Sequence, residues 1–182
     1  MRLHAEGLIR RSPDGGYLPT VPDVELMRHL YEVRISLELQ ALHRPARHAT
    51  RHDPDALEVV RDEWRALAED EPVPDPSFVI LDESFHQALA EAAGNPVLAD
   101  LLRHVNERIR VVRMQDFLIP GRITETIEEH LAIVDAVLDG DIAEAERRFG
   151  LHVSLSLAVV EARVARAINR MASNAALGAD HR

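Results

Sequence analysis

The 182-residue sequence contains no cysteine. Disulfide staples, thiolate metal sites, iron–sulfur clusters and cysteine nucleophiles are thereby excluded, and a reducing compartment is the natural setting. Lysine is also absent, all 21 basic residues being arginine. That bias reads as a G+C-rich bacterial genome and a cytoplasmic protein rather than as a binding adaptation. No window approaches the ~20 apolar residues of a membrane span, and the start lacks the apolar core of a signal peptide, so no membrane partner is expected. Positive charge is scarce as well: a formal net charge of −10 disfavours a general nucleic-acid coat, which needs clustered cations. The deficit is uneven. Residues 1–22 carry Arg2, Arg10 and Arg11 against Glu6 and Asp14, so a head of +1 precedes a body of −11. What the chain does have is 46% hydrophobic residues, enough for one sizeable domain or one domain with a small appendage.

The only strand signal lies early. Leu8-Ile9-Arg10-Arg11 and Tyr17-Leu18-Pro19-Thr20-Val21 flank the turn-rich Ser12-Pro13-Asp14-Gly15-Gly16, a hairpin pattern. From Asp23 onward the punctuation is helical. A first helix is expected from about Asp23 to about Leu42, with Leu26, Leu30, Val33, Leu37 and Leu42 along one side and Pro45 ending or kinking it. His43–His52, with Arg44, Arg47 and Arg51 and no acid, reads as a solvated connection, with a small anion-facing patch as the alternative. Asp53-Pro54 caps a helix to Glu69 that buries Leu57, Val60, Trp64 and Leu67. Asp75-Pro76 opens another to Ala93, stopped by Gly94; Asn95-Pro96 opens one to about Leu118, broken by Pro120-Gly121. A helix follows from about Ile123 to Asp139. Asp141 and Glu144 form a capping box for the last one, which reaches the Met171 region before a polar, flexible tail at 173–182. The expected fold is all-α: an antiparallel bundle of about six helices preceded by a short β-hairpin.

Of ten histidines, seven (His4, His29, His43, His48, His52, His104 and His181) sit in loops or beside charged residues and read as solvated. Three lie on apolar helical faces. His86 follows Asp82 by four residues, which stacks both side chains on one face; His130 has Ile127, Ile133 and Val134 as helical neighbours; His152 sits among Phe149, Leu155 and Ser156. Burying several titratable groups is costly unless something pairs them. A divalent metal is one solution, and His with carboxylate suits Zn, Ni or Mn rather than soft copper. Satisfied core histidines are the other. An enzyme would also need a base near the open coordination position, but Glu83 and Glu129 are turned about 100° from their neighbours and should face elsewhere. HExxH, a Gly-rich phosphate loop and a Ser-centred elbow are all missing. Arg34, four residues before Glu38, either pairs with that carboxylate or reaches a ligand; of Arg108, Arg110 and Arg113, one or two could reach the cavity.

Asp82-Glu83-Ser84-Phe85-His86, Glu91-Ala92-Ala93-Gly94-Asn95-Pro96, Glu129-His130, Gly140-Asp141-Ile142-Ala143-Glu144-Ala145 and His152, in that order, resemble the effector-binding C-terminal (FCD) domain of GntR transcription regulators of the FadR subfamily. Tyr31-Glu32-Val33-Arg34 with Glu38 resembles that domain's opening helix. The resemblance covers about Val24 to Ala172. It implies a metal held by Asp82, His86, His130 and His152, and a small carboxylate effector assisted by Arg34 and Arg108, which match arginine positions of the family. It further implies a homodimer, a sensor rather than an enzyme, and operator DNA as the partner of the complete regulator. Leu3 to Arg11 followed by Gly15-Gly16-Tyr17 is similar to the end of a recognition helix and the wing of a winged helix-turn-helix, with Arg10, Arg11, Gly15 and Gly16 in the DNA-facing part. The helices that precede such a wing are not in these residues, so 1–22 reads as a remnant head and 23–172 as the sensor. As it stands, the chain is not expected to dock a full recognition helix.

Overall fold

A computed structural model describes residues 9–11, 15–19, 24–70, 72–154 and 162. The expected run of the last helix to Met171, the tail at 173–182 and the first eight residues lie outside the described residues. Strands β1 (Ile9–Arg11) and β2 (Tyr17–Pro19) pair antiparallel with Arg10 opposite Leu18. Gly15 and Gly16 between them take φ of 86° and 90°, values that L side chains rarely adopt.

The rest is helical: α1 (Val24–Arg47), α2 (Pro54–Glu69), α3 (Phe78–Ala92), α4 (Pro96–Arg113), α5 (Arg122–Leu138) and α6, described over 142–154, with a 3₁₀ turn at Asp116–Leu118. Six helices make the body all-α. Their boundaries follow capping chemistry. Asp53 accepts from the N–H groups of Asp55 and Ala56 at 3.1 and 3.2 Å, Asn95 from Leu98, and each is followed by a proline whose missing N–H costs a first helical turn nothing. Asp141 accepts from the Glu144 N–H at 3.0 Å, but Glu144 does not close the box; its carboxylate pairs with Arg147 and Arg148. No helix among the described residues is long and apolar enough to cross a membrane.

Helix α3 is central, touching α1, α2, α4 and α5, while α2 lies along α5 and α1 along α4. The core gathers Leu57 and Trp64 of α2, Phe78, Val79 and Phe85 of α3, Ile127, Ile133 and Val134 of α5, and Phe149 of α6. Trp64 meets Phe78 and Phe85 edge-on at 5.9 and 5.3 Å.

Two expectations about α1 are corrected. Its buried face is not the all-apolar stripe: Leu26 and Val33 are exposed, and Met27, Leu30, Tyr31, Arg34, Glu38, Ala41 and Leu42 point inward. Two charged residues at helical spacing hide a buried face from a reading based on hydrophobicity alone. The helix also runs beyond its expected end near Leu42, through Pro45 to Arg47. A proline inside a helix deprives the carbonyl four residues earlier of its donor. Here that carbonyl, of Ala41, lies 3.2 Å from His52 Nε2, and His52 is buried rather than solvated.

Candidate metal centre

Three helices deliver four groups to one point inside this core. Asp82 and His86 come from successive turns of α3, His130 from α5 and His152 from α6; all four are buried, and one ligand atom from each lies within 4.8 Å of the others. His152 Nε2 lies 3.2 Å from His86 Nε2 and 3.3 Å from His130 Nε2. The Asp82 oxygens lie 3.8 Å from His86 Nε2 and 3.7 Å from His130 Nε2. The three rings thus turn the same nitrogen inward.

The outward nitrogens explain why. His86 Nδ1 meets Glu38 Oε2 at 2.5 Å, and His152 Nδ1 meets Glu129 Oε2 at 2.7 Å. A carboxylate at Nδ1 draws the ring proton there and leaves the Nε2 lone pair facing the centre, the arrangement that metal-binding histidines use. His130 is fixed by ring packing instead: it stacks on Phe85 at 3.8 Å and 8° and meets Trp64 at 4.3 Å. Glu38 and Glu129 therefore belong to the site, and Glu129, expected to face elsewhere, reaches behind His152. Glu83 is buried too, but it is held by Arg110 instead of by a ring of the cluster. The i,i+4 spacing of Arg34 and Glu38 was the one sequence signal for the outer carboxylates.

Each carboxylate has its arginine. Arg34 Nε donates to Glu38 at 2.7 Å, Arg113 donates to Asp82, and Arg122 contacts Glu129 at 3.3 Å. Burial alone would raise the pKa of Glu38, but His86 and Arg34 outweigh it and hold the carboxyl at about 2. Asp82 is likewise kept well below the usual range by Arg113 and the neighbouring rings against the effect of burial. Burial pushes His86 down to about 4 and His130 lower than its ordinary value, so both imidazoles are neutral near pH 7. Around these two rings three carboxylates face three guanidinium groups, Glu38 with Arg34, Asp82 with Arg113 and Glu129 with Arg122. Unused bonding capacity remains in the interior: Asp82 Oδ1, His130 Nδ1, Nη1 and Nη2 of Arg34, and Nε and Nη1 of Arg113 have no hydrogen-bond partner. An Oδ1 left bare among three inward-facing Nε2 atoms is a donor set that fits a divalent cation.

The structure separates the two expected effector arginines. Arg34 is fully buried at the cluster, but Arg108 lies on the exposed face of α4. Arg113, five residues further on and only 2% exposed, is the α4 guanidinium that reaches Asp82. Of the head residues, Arg11, Gly15 and Gly16 are exposed, and the backbone of Arg10 runs in β1.

Residues 29–155 match the family model of the FCD domain. The chain belongs to this family, the domain carried by GntR-type, FadR-like transcriptional regulators. It is 29% identical over 138 residues to the Nta operon transcriptional regulator of Aminobacter aminovorans, covering 76% of this chain and 63% of that one. It is 30% identical over 141 residues to the HTH-type transcriptional repressor NanR of Escherichia coli, covering 69% of this chain and 47% of NanR. The chain thus spans about half to two-thirds of the length of these relatives. The solved metal-free FCD domain of TM0439 superposes with a TM-score of 0.59 at 20% identity, over 83% of this chain and 99% of that domain. These relatives are named as regulators, not enzymes.

Proposed function

We propose that residues 23–172 are the sensor domain of a transcription regulator that binds one divalent cation and, beside it, a small organic acid. The observation that carries the reading is the convergence of Asp82 with three inward Nε2 atoms, two of them backed by carboxylates. Zn, Ni and Mn suit such a donor set. A bound dication supplies a Lewis-acidic position for one oxygen of the acid. The chain's own charges select an anion: the three carboxylates around the centre are each offset by an arginine, so a dication adds +2 among buried groups, and the unused N–H groups of Arg34 and Arg113 are donors for a carboxylate. Arg108 is set aside in favour of Arg113.

In the regulator, the acid favours one packing of the helices over another and thereby re-aims the DNA-binding heads of a homodimer; its differential affinity for the two packings sets how far that equilibrium moves. The paired strands β1 and β2, with Arg10, Arg11, Gly15 and Gly16, are then a wing whose arginines meet backbone phosphates of operator DNA.

Metal content of untagged protein, measured beside an Asp82→Ala/His130→Ala double variant, tests the centre. The expected result is about one ion per chain, lost in the variant. Carboxylic acids then raise the melting temperature only of the metal-loaded form. No ion in either protein after incubation with Zn, Ni or Mn would sink the reading.

A further inference from the structure

A second cavity lies away from the metal centre and shares no residue with it. It measures about 410 Å³ and sits where the end of α1, the α1–α2 connection, the start of α2 and the α5–α6 turn meet. That volume is in the range of small-molecule sites. Its floor is apolar, with Leu57 and Val137 buried and Leu138 and Ile142 partly so. Four polar side chains border it, and one of them, Thr50, spends its hydroxyl on the Pro45 carbonyl. His52 is 92% buried by its 8% exposure, and its Nε2 is engaged with the Ala41 carbonyl. That bond fixes the proton on Nε2, so Nδ1 is a bare acceptor on a ring that lines the cavity. Arg51 and Asp139 stand at the rim, both exposed, paired neither with each other nor with another described residue.

We infer that this cavity binds a free α-amino acid with an aliphatic side chain. An anion alone would face Asp139 unpaired, and a cation alone would face Arg51. A zwitterion answers both: its carboxylate takes the Arg51 fork, and its ammonium donates to Asp139 and His52 Nδ1. The aliphatic side chain covers Leu57 and Val137, which glycine would leave open. Recognition of both charged ends by a rim above an apolar floor distinguishes the amino acid from its ester and from its N-acyl derivative. The site does not depend on a metal, so its test is separate from that of the sensor reading.

Isothermal titration of the full chain with L-leucine and L-valine, with added Zn and again with chelator, provides that test. Binding with a dissociation constant at or below about 1 mM is expected in both conditions. Leucine methyl ester and N-acetyl-leucine bind at least about tenfold more weakly, as does leucine to Arg51→Gln and to Asp139→Asn. Both residues are exposed and unpaired, so neither substitution endangers the fold. Ring nitrogen shifts of His52 move on titration while those of His86, His130 and His152 stay. No binding at ten times that concentration overturns the inference. So does binding that survives both substitutions, or shifts confined to the metal-centre histidines.

Discussion

His86 Nδ1 and Glu38 Oε2 meet at 2.5 Å across two helices, 48 residues apart in sequence, with both side chains buried. This contact decides which nitrogen of His86 faces Asp82, and it ties α1 to the centre. Glu38→Gln keeps the shape but loses the charge that raises the basicity of the ring, so divalent-cation affinity falls about tenfold to a hundredfold. Glu129→Gln acts in the same direction and more weakly, since that carboxylate is 24% exposed. Chelator-competition titrations, with circular dichroism to confirm the fold, measure both.

Arg34 and Arg108 are predicted to behave differently toward the acid. Arg34→Lys keeps a cation against Glu38 but loses the free Nη1 and Nη2 donors, so acid binding to the metal-loaded protein weakens about tenfold while the metal stays bound. Arg108→Gln, on the exposed face of α4, leaves acid affinity unchanged. Equal losses from the two substitutions, measured by calorimetry, would contradict the placement.

Acid destabilises the metal-free protein. His86 has a folded pKa of about 4 against 6.5 when exposed, and that of His130 is lowered in the same direction. Between pH 6.5 and about 4 the unfolded chain takes protons that the folded chain refuses, so this stability is complete above 6.5 and lost as pH falls toward 4. His86 alone is worth on the order of 3 kcal/mol over that interval. Glu38, held at about 2 from 4.5, adds a further loss below pH 4.5. Denaturant midpoints of chelator-treated protein should fall steadily from pH 7 to 4; a flat profile refutes neutral buried rings.

The single tryptophan reports on the centre, because Trp64 and His130 are 4.3 Å apart, centroid to centroid. Titrating Zn into metal-free protein changes the tryptophan emission with a one-site isotherm, and His130→Gln abolishes the change. Trp64→Ala opens a hole between Phe78, Phe85 and His130 and costs about 3–5 kcal/mol, seen in the unfolding midpoint.

Pro45 and His52 form the last test. His52→Ala strips the Ala41 carbonyl of its donor in the interior and costs about 1–3 kcal/mol. Pro45→Ala supplies a helical N–H to that same carbonyl, so the double variant recovers part of the loss. Additive losses in a double-mutant cycle would show that the two residues do not share this carbonyl.

Local chemistry placed most of the helix boundaries. Asp53-Pro54, Asn95-Pro96 and Gly94 act through contacts within a few residues, which a sequence shows directly. The Asp82–His86 pair was legible for the same reason, four residues being one helical turn. His130 and His152 were legible as polar residues on apolar faces. Periodicity misread α1 because its buried face carries Arg34 and Glu38, and the pattern on its own could not show that α3 brings His86 to meet them.

Composition and spacing within single elements account for the all-α class, the excluded cysteine chemistry, most of the capped boundaries and the inward faces that carry Asp82, His86, His130 and His152. Packing between helices is what sets Glu38 and Glu129 behind the rings, brings Arg113 rather than Arg108 to Asp82, and lays His52 against the carbonyl that Pro45 leaves without a donor. Those pairings join residues 11 to 48 positions apart, and helix packing, which no local pattern records, sets which of them meet.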